Sequence, residues 1–259
     1  MKKGIRLDKM LGHMGFGTRS ELKKAVKAGR VTVDGAVVKD SGLPIDPARQ
    51  TVAWDGEPVA YRETVYLMLN KPQGVISATE DTRDRTVVDL LRAEDRVLQP
   101  FPVGRLDKDT EGLLLLTNDG QLAHELLSPR KHVDKTYEAV VRGAVDEVDK
   151  RAFRQGVTLD DGYVTMPAEL TVLACEERGG EWRSHISLVI REGKFHQVKR
   201  MFAAVGKQVL HLKRTAMGPL RLDESLPPGV YRALTDGEVE ALKAHRGAGT
   251  SKEMKEAGK

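Results

Sequence analysis

Gly104-Arg105-Leu106-Asp107-Lys108-Asp109-Thr110-Glu111-Gly112-Leu113-Leu114-Leu115-Leu116-Thr117-Asn118-Asp119-Gly120 sets a charged, glycine-bounded loop directly against four consecutive leucines. Four apolar residues are too few for a free-standing helix, so the run predicts a strand buried on both faces. The loop before it is then pinned to the core and holds a carboxylate, Asp107 or Asp109, at the mouth of a sheet on a rigid support. Taken alone, such a loop is also an ordinary connection, and residue types cannot by themselves name a reaction.

Working outward, Val65 to Asn70 predicts a strand entering Lys71-Pro72, and Val87 to Leu91 after Thr86 a short helix. Downstream, Gln121–Leu127 has an amphipathic helical pattern, Lys135–Val141 alternates as a strand, and Val145–Gly156 suits a helix. Strands are expected at Leu170–Cys175 and His185–Ile190 with a turn at Glu176–Gly180, then a helix at Phe195–Val205 and a strand from Val209 to Leu212. Mixed elements without a regular βαβ rhythm place the chain in the α+β class.

Near the start, Leu7, Met10, Leu11 and Met14 suit a first short helix, and Thr18 with Glu21 is a capping-box pattern opening a second, stopped by Gly29. Val31–Val38 is a hairpin, since Asp34-Gly35 between β-rich runs suits a type I′ turn. Pro44, Pro47 and Asp55-Gly56 punctuate the end of this module. The expected organisation is therefore a first domain at 1–60, a linker at 61–64 within the stretch from Pro58 to Thr64, a second domain at 65–245, and a polar tail at 246–259 with too little to bury to fold.

The chain has 259 residues, 40% hydrophobic and 31% charged, the composition of a soluble globular protein, and no apolar run approaches a membrane span. No apolar segment follows the basic start, so a secretory signal is not expected. A single cysteine, Cys175, permits no internal disulfide and fits a cytoplasmic location. Charge is segregated. Residues 1–30 balance at +7, carried by Lys2, Lys3, Arg6, Lys9, Arg19, Lys23, Lys24, Lys27 and Arg30 against two acids. Residues 191–214 balance at +6, and these two blocks leave −9 for the rest of a chain whose net charge is +4. Such segregation argues for docking on a polyanion.

Three ordered segments carry a family resemblance: Asn70-Lys71-Pro72-Gln73-Gly74, the Gly104–Gly120 stretch, and Arg191-Glu192-Gly193-Lys194-Phe195-His196-Gln197-Val198-Lys199-Arg200-Met201-Phe202. Together they resemble the pseudouridine synthases that act on ribosomal RNA, over roughly residues 1 to 240. The continuation through Ala203-Ala204-Val205-Gly206 is most similar to the branch acting on small-subunit 16S rRNA, with a large-subunit 23S enzyme as the alternative. The two small helices and hairpin at the start resemble the S4 RNA-binding module, for which Arg6, Lys9, Arg19, Lys23, Lys24, Lys27 and Arg30 are the RNA-binding candidates. The resemblance implies a mainly antiparallel sheet flanked by helices, a monomer, ribosomal RNA or a pre-ribosomal particle as partner, and neither cofactor nor metal.

It also assigns Asp107 as the carboxylate. An aspartate kept ionised in a dry pocket calls for a cation, and Lys199 stands where sister branches carry arginine. Tyr137, in Lys135-Thr136-Tyr137, matches the tyrosine that stacks on uracil, and its hydroxyl is the candidate acceptor for the proton leaving carbon. Arg105, Lys71, Arg191, His196 and Arg200 are candidates for substrate binding, with Arg105 filling the stack or binding phosphate once the base has left it. Asp109, Glu111 and Asp119 remain as paired acids, the equipment of a glycoside hydrolase. A non-catalytic RNA-binding protein using the S4-like part alone is the third class.

Overall fold

The computed structural model describes residues 4–245, so Lys2, Lys3 and the tail expected at 246–259 lie outside the described residues. The described residues form two compact units, 4–65 with 91–100, and 66–90 with 101–245.

The first unit begins with β1 (Ile5–Arg6), α1 (Leu7–His13) and α2 (Arg19–Ala28). Both halves of the capping box form, Glu21 N–H donating to Thr18 Oγ1 at 3.4 Å and Thr18 N–H to Glu21 Oε2 at 2.7 Å. These contacts satisfy amide donors the helix start would leave orphaned. Gly29 ends α2 in the left-handed region, φ 84°. The hairpin β2 (Val31–Val33) and β3 (Ala36–Val37) turns at Asp34 and Gly35, both at positive φ as a type I′ turn requires. Next come β4 (Pro44–Ile45), which pairs with β1, then β5 (Val52–Trp54) and β6 (Glu57–Pro58). Asp55-Gly56, expected only as punctuation, is thus a second hairpin turn of the same kind, and Pro58 belongs to a strand rather than to a linker. Leu7, Met10, Leu11, Leu22, Val26, Val31 and Ile45 close a small core.

The helix α3 (Ala93–Arg96) packs into this unit too, outside the second domain in which residues 65–245 were expected to lie together. Its fully buried Asp95 accepts from Arg92 at 3.3 Å, three residues before it, and from Arg62 at 3.0 Å, a partner from a distant part of the chain that no local pattern announces.

The second unit is a nine-stranded sheet. It contains β7 (Tyr66–Lys71), β8 (Phe101–Pro102), β9 (Glu111–Thr117), β10 (Lys135–Arg142), β11 (Glu169–Arg178), β12 (Glu181–Ile190), β13 (Gln208–Met217), β14 (Leu220–Arg221) and β15 (Tyr231–Ala233). The order is β11-β12-β10-β13-β9-β7-β15, with β14 on β13 and β8 on β9; only β13 and β9 run parallel. The helices are α4 (Gly120–Leu127), α5 (Glu147–Gln155), α6 (Gln197–Ala204) and α7 (Asp236–Ala244). This is the α+β arrangement expected.

All four leucines of 113–116 are 0% exposed, as a strand covered on both faces must be. On one side Leu113 and Leu115 meet Leu122 and Leu126 of α4 and Leu242 of α7. At about 1.5–3 kcal/mol for each buried leucine, this strand is a principal anchor of the sheet. Several boundaries move from expectation. The β11–β12 hairpin turns only at Gly179-Gly180, so Glu176 to Arg178 are strand, their polar side chains being compatible with exposed backbone pairing. The helix expected from Phe195 begins at Gln197, leaving Phe195 and His196 outside it. Val88–Leu90 forms a single 3-10 turn in place of the short helix expected at Val87 to Leu91.

Candidate active site

The register of the sheet assembles the site. Gly112 of β9 stands between Lys71 of β7 on one side and Arg214 of β13 on the other, and Arg214 in turn pairs with Tyr137 of β10. Glycine at position 112 is a requirement of close approach: a Cβ there would lie 2.2 Å from the carbonyl oxygen of Arg214, at a φ of 103°. The strand can therefore bring the loop that precedes it directly against β13.

That loop is immobilised from below. Lys71, fully buried, donates through Nζ to the carbonyls of Pro72 and Asp107 at 3.0 Å each, Thr110 at 2.9 Å and Lys108 at 3.4 Å. Ser77 Oγ donates to the Leu106 carbonyl at 2.9 Å and accepts from its N–H at 3.0 Å. Gly74 N–H donates to the Lys108 carbonyl at 2.8 Å. Lys71 was expected to bind substrate; with its ammonium enclosed by carbonyls it holds the loop instead. Burial draws its pKa down to about 8, against the raising influence of Asp107, Asp109 and Glu111.

Above the pinned backbone, Asp107 Oδ2 lies 3.1 Å from Lys199 Nζ, and the same ammonium donates to Asp109 Oδ1 at 2.6 Å. His196 Nε2 stands 3.6 Å from Asp107 Oδ1. Lys199 comes from α6 and the two aspartates from the loop, so chemistry separated by some ninety residues converges on one cation. Burial would pull the Lys199 pKa down, but hydrogen bonds to Asp109 and Asp107 outweigh it and hold it above the ordinary lysine value. The hydrogen bond from Lys199 lowers the Asp109 pKa. An ionised carboxylate held by a partly buried ammonium is equipped for nucleophilic or electrostatic work.

Tyr137 is buried in β10 beside Arg214, a residue that sequence reasoning counted only as charge. The Arg214 guanidinium donates from Nε to the Leu113 carbonyl at 2.8 Å, and its buried Nη2 has no partner among the described residues. Lys135, two residues before Tyr137, has its pKa drawn to about 8 by burial and by Arg214. Arg105 is exposed on the loop and makes no ion pair among the described residues. Two other candidates are occupied elsewhere. Arg191 pairs with Asp134 at 2.9 Å and Glu169 at 3.2 Å, and Arg200 with Asp161 at 2.7 Å and also with Asp160. Their charge is balanced by neighbouring carboxylates.

The alternative acids are likewise engaged. Asp119 caps α4 through Leu122 N–H at 3.0 Å and accepts from Tyr66 hydroxyl at 2.8 Å, while Glu111 meets His211 Nε2 at 2.8 Å. Neither is left as the second member of a hydrolytic pair. No cluster of His, Cys, Asp or Glu among the described residues is arranged to hold a metal, and no described helix is long and apolar enough to cross a membrane.

In the other unit, Lys9, Lys23, Lys24 and Lys27 are exposed with no ion pair among the described residues. Arg6 pairs with Asp8 at 2.7 Å, Arg19 lies 3.5 Å from the same carboxylate, and Arg30 pairs with Asp55 and covers the Trp54 ring at 4.7 Å. Arg6, Asp8, Lys9, His13 and Arg19 line a groove of 340 Å³.

Comparison with known proteins agrees with this geometry. Residues 65–204 match the family described as RNA pseudouridylate synthase, and residues 5–50 match the S4 domain. The uncharacterized RNA pseudouridine synthase YtzG of Bacillus subtilis is 52% identical over 92% of this chain and 98% of its own. Ribosomal small subunit pseudouridine synthase A of Escherichia coli K12 is 39% identical over 92% of this chain and all of its own length. A crystal structure of a pseudouridylate synthase superposes with a TM-score of 0.63 at 37% identity, covering 92% of this chain and 99% of that one. On these matches the chain belongs to the RNA pseudouridine synthases and carries an S4 domain.

Proposed function

We propose that the protein isomerises a uridine of 16S ribosomal RNA to pseudouridine, with Asp107 as the reacting carboxylate, Lys199 as its counter-ion and Tyr137 as the stacking surface under the uracil. The observation that carries the reading is the Asp107–Lys199 ion pair at 3.1 Å, standing on a loop whose carbonyls are gathered by one buried ammonium. The reaction breaks the bond from ribose C1′ to uracil N1, turns the base, and forms a bond from C1′ to C5. The proton displaced from C5 is balanced by one gained at N1, so there is no net redox change and no co-reactant. A carboxylate fixed beside an ammonium can hold the electron-poor C1′ of the ribose while the uracil, which leaves with the bonding pair, is turned. The Tyr137 hydroxyl is the acceptor assigned to the C5 proton. Arg105, exposed beside Asp107, is assigned to a phosphate of the extruded nucleotide.

The small-subunit target is supported by the relatives named ribosomal small subunit pseudouridine synthase A, aligned along their whole length. The first unit supplies docking on RNA through its exposed lysines. Carbodiimide or mass-spectrometric mapping of pseudouridine in both rRNAs, from cells with and without the gene, tests the assignment. Loss of one 16S position is expected. Loss confined to 23S rRNA overturns the target, and loss at neither overturns the ribosomal reading altogether.

A further inference from the structure

Phe195 keeps 75% of its surface exposed, more than any other large hydrophobic side chain among the described residues, and it does so at the rim of the Asp107 site. Its ring stacks on the His196 imidazole at a centroid distance of 3.8 Å and an interplanar angle of 19°, and His196 Nε2 is the group 3.6 Å from Asp107 Oδ1. The exposure is built in. His196 adopts a left-handed backbone, φ 48°, which ordinary residues seldom do without support from their surroundings. That support comes from Glu192, which accepts from Tyr163 hydroxyl at 2.6 Å and from Met166 N–H and Gln197 Nε2 at 2.8 Å each. Gln197 Oε1 in turn accepts from Lys194 N–H at 2.8 Å. The segment is fastened on both sides of Phe195, and α6 starts only after it, so the ring is held outward rather than left over.

A flat apolar face beside a carboxylate, with Lys194 and Lys199 in the same segment, suits a nucleobase better than the apolar side chain of a protein. When a uridine leaves its stack, each neighbour loses a covered face. We propose that Phe195, backed by His196, is the stacking platform for a nucleotide adjacent to the target uridine, covering the face that base extrusion exposes. The proposal rests on the isomerase reading and adds to it a contact with the flanking sequence.

Wild type, Phe195→Ala, Phe195→Leu and Phe195→Trp are compared by tritium release from C5-labelled uridine in a synthetic RNA spanning the mapped position. The same fragment is prepared with an abasic nucleotide on either side in turn. Phe195→Ala and Phe195→Leu should lower kcat/KM by about tenfold or more on intact RNA, with Phe195→Trp restoring it, because stacking needs a ring and not only apolar bulk. The deficit should vanish on one abasic fragment, where no base remains to stack. A deficit unchanged on both abasic fragments overturns the platform. So does full activity of Phe195→Ala and Phe195→Leu on intact RNA, which would leave the ring to a protein partner. Melting temperatures should stay at the wild-type value, since the ring is exposed. Wild-type turnover is read separately: the target assignment is tested by the rRNA mapping, and if the fragment is inert it lacks what docking requires, so the contrast among Ala, Leu and Trp is then read on full-length unmodified 16S and 23S transcripts.

Discussion

Lys71 Nζ meets the backbone carbonyl of Asp107 at 3.0 Å from a position with no exposed surface, so the cation fixes where Asp107 stands without touching its carboxylate. Replacing it by methionine strips several carbonyls of their donor, at about 1–3 kcal/mol for each group left unsatisfied. Lys71→Met should therefore melt lower and lose activity together. The pH dependence has a definite sign. The folded pKa of about 8 lies below the ~10.4 of an unfolded lysine, so between these values the unfolded chain binds more protons. The contribution of this group to stability rises with pH across that window and is flat below it. Urea unfolding at about pH 7, 8 and 9.5 should show a wild-type advantage over Lys71→Met that widens with pH. A constant or narrowing advantage would contradict the buried-ammonium account.

Asp107→Asn should abolish tritium release while Asp109→Asn leaves most of it, because an amide keeps the shape of the carboxylate but neither its charge nor its nucleophilicity. Sharing of Lys199 makes the control clean. In either single variant the ammonium retains one carboxylate, at 2.6 Å or 3.1 Å, so no partly buried cation is stranded and melting temperatures should change little. The double variant strands it and should lose more stability than the two singles combined. Activity that survives Asp107→Asn and is lost in Asp109→Asn would reassign the reacting carboxylate.

Lys199→Met should lower kcat far more than it weakens RNA binding, since the cation lies against the carboxylate rather than on a remote face. Lys199→Arg should recover part of the loss: a guanidinium fork can engage two carboxylates at once, though at a different depth. Single-turnover rates with matched binding curves separate the cases, and a purely affinity-based defect in Lys199→Met would break the proposed pairing.

Local features were legible in the sequence and convergent ones were not. The Thr18–Glu21 capping box, the Asp34-Gly35 turn and the leucine strand each depend on residues a few positions apart, and each forms. The enclosure of Lys71 was not legible because three of its four carbonyl partners arrive from a loop more than thirty residues on. Arg214 was missed for a related reason. In Gln208–Met217 several polar residues alternate, and which of them turns inward is set by pairing with β9 and β10, not by the pattern of β13 itself. Gly112 offered a signal that went unread: a glycine at the head of an otherwise continuous leucine strand marks a place where another backbone comes close.

The basic face of the S4 unit can be tested without cutting the chain. Deleting residues 1–60 would leave behind Leu91–Pro100 without most of the unit it packs into, so truncation confounds folding with binding. Substitution to alanine at Lys23, Lys24 and Lys27 avoids this, since all three are exposed and make no ion pair among the described residues. Each lysine that touches a phosphate releases counterions, contributing ~0.7–0.9 to the slope of log affinity against log salt. The triple variant should bind RNA more weakly at low salt, with a visibly shallower slope, while its turnover at saturating RNA stays near that of wild type. Arg30→Ala should behave differently. Its guanidinium is neutralised by Asp55 and lies over Trp54, so its loss should cost stability through the ion pair and the stacked contact and change the slope less. An unchanged slope in the triple variant would remove this face from the RNA-docking surface.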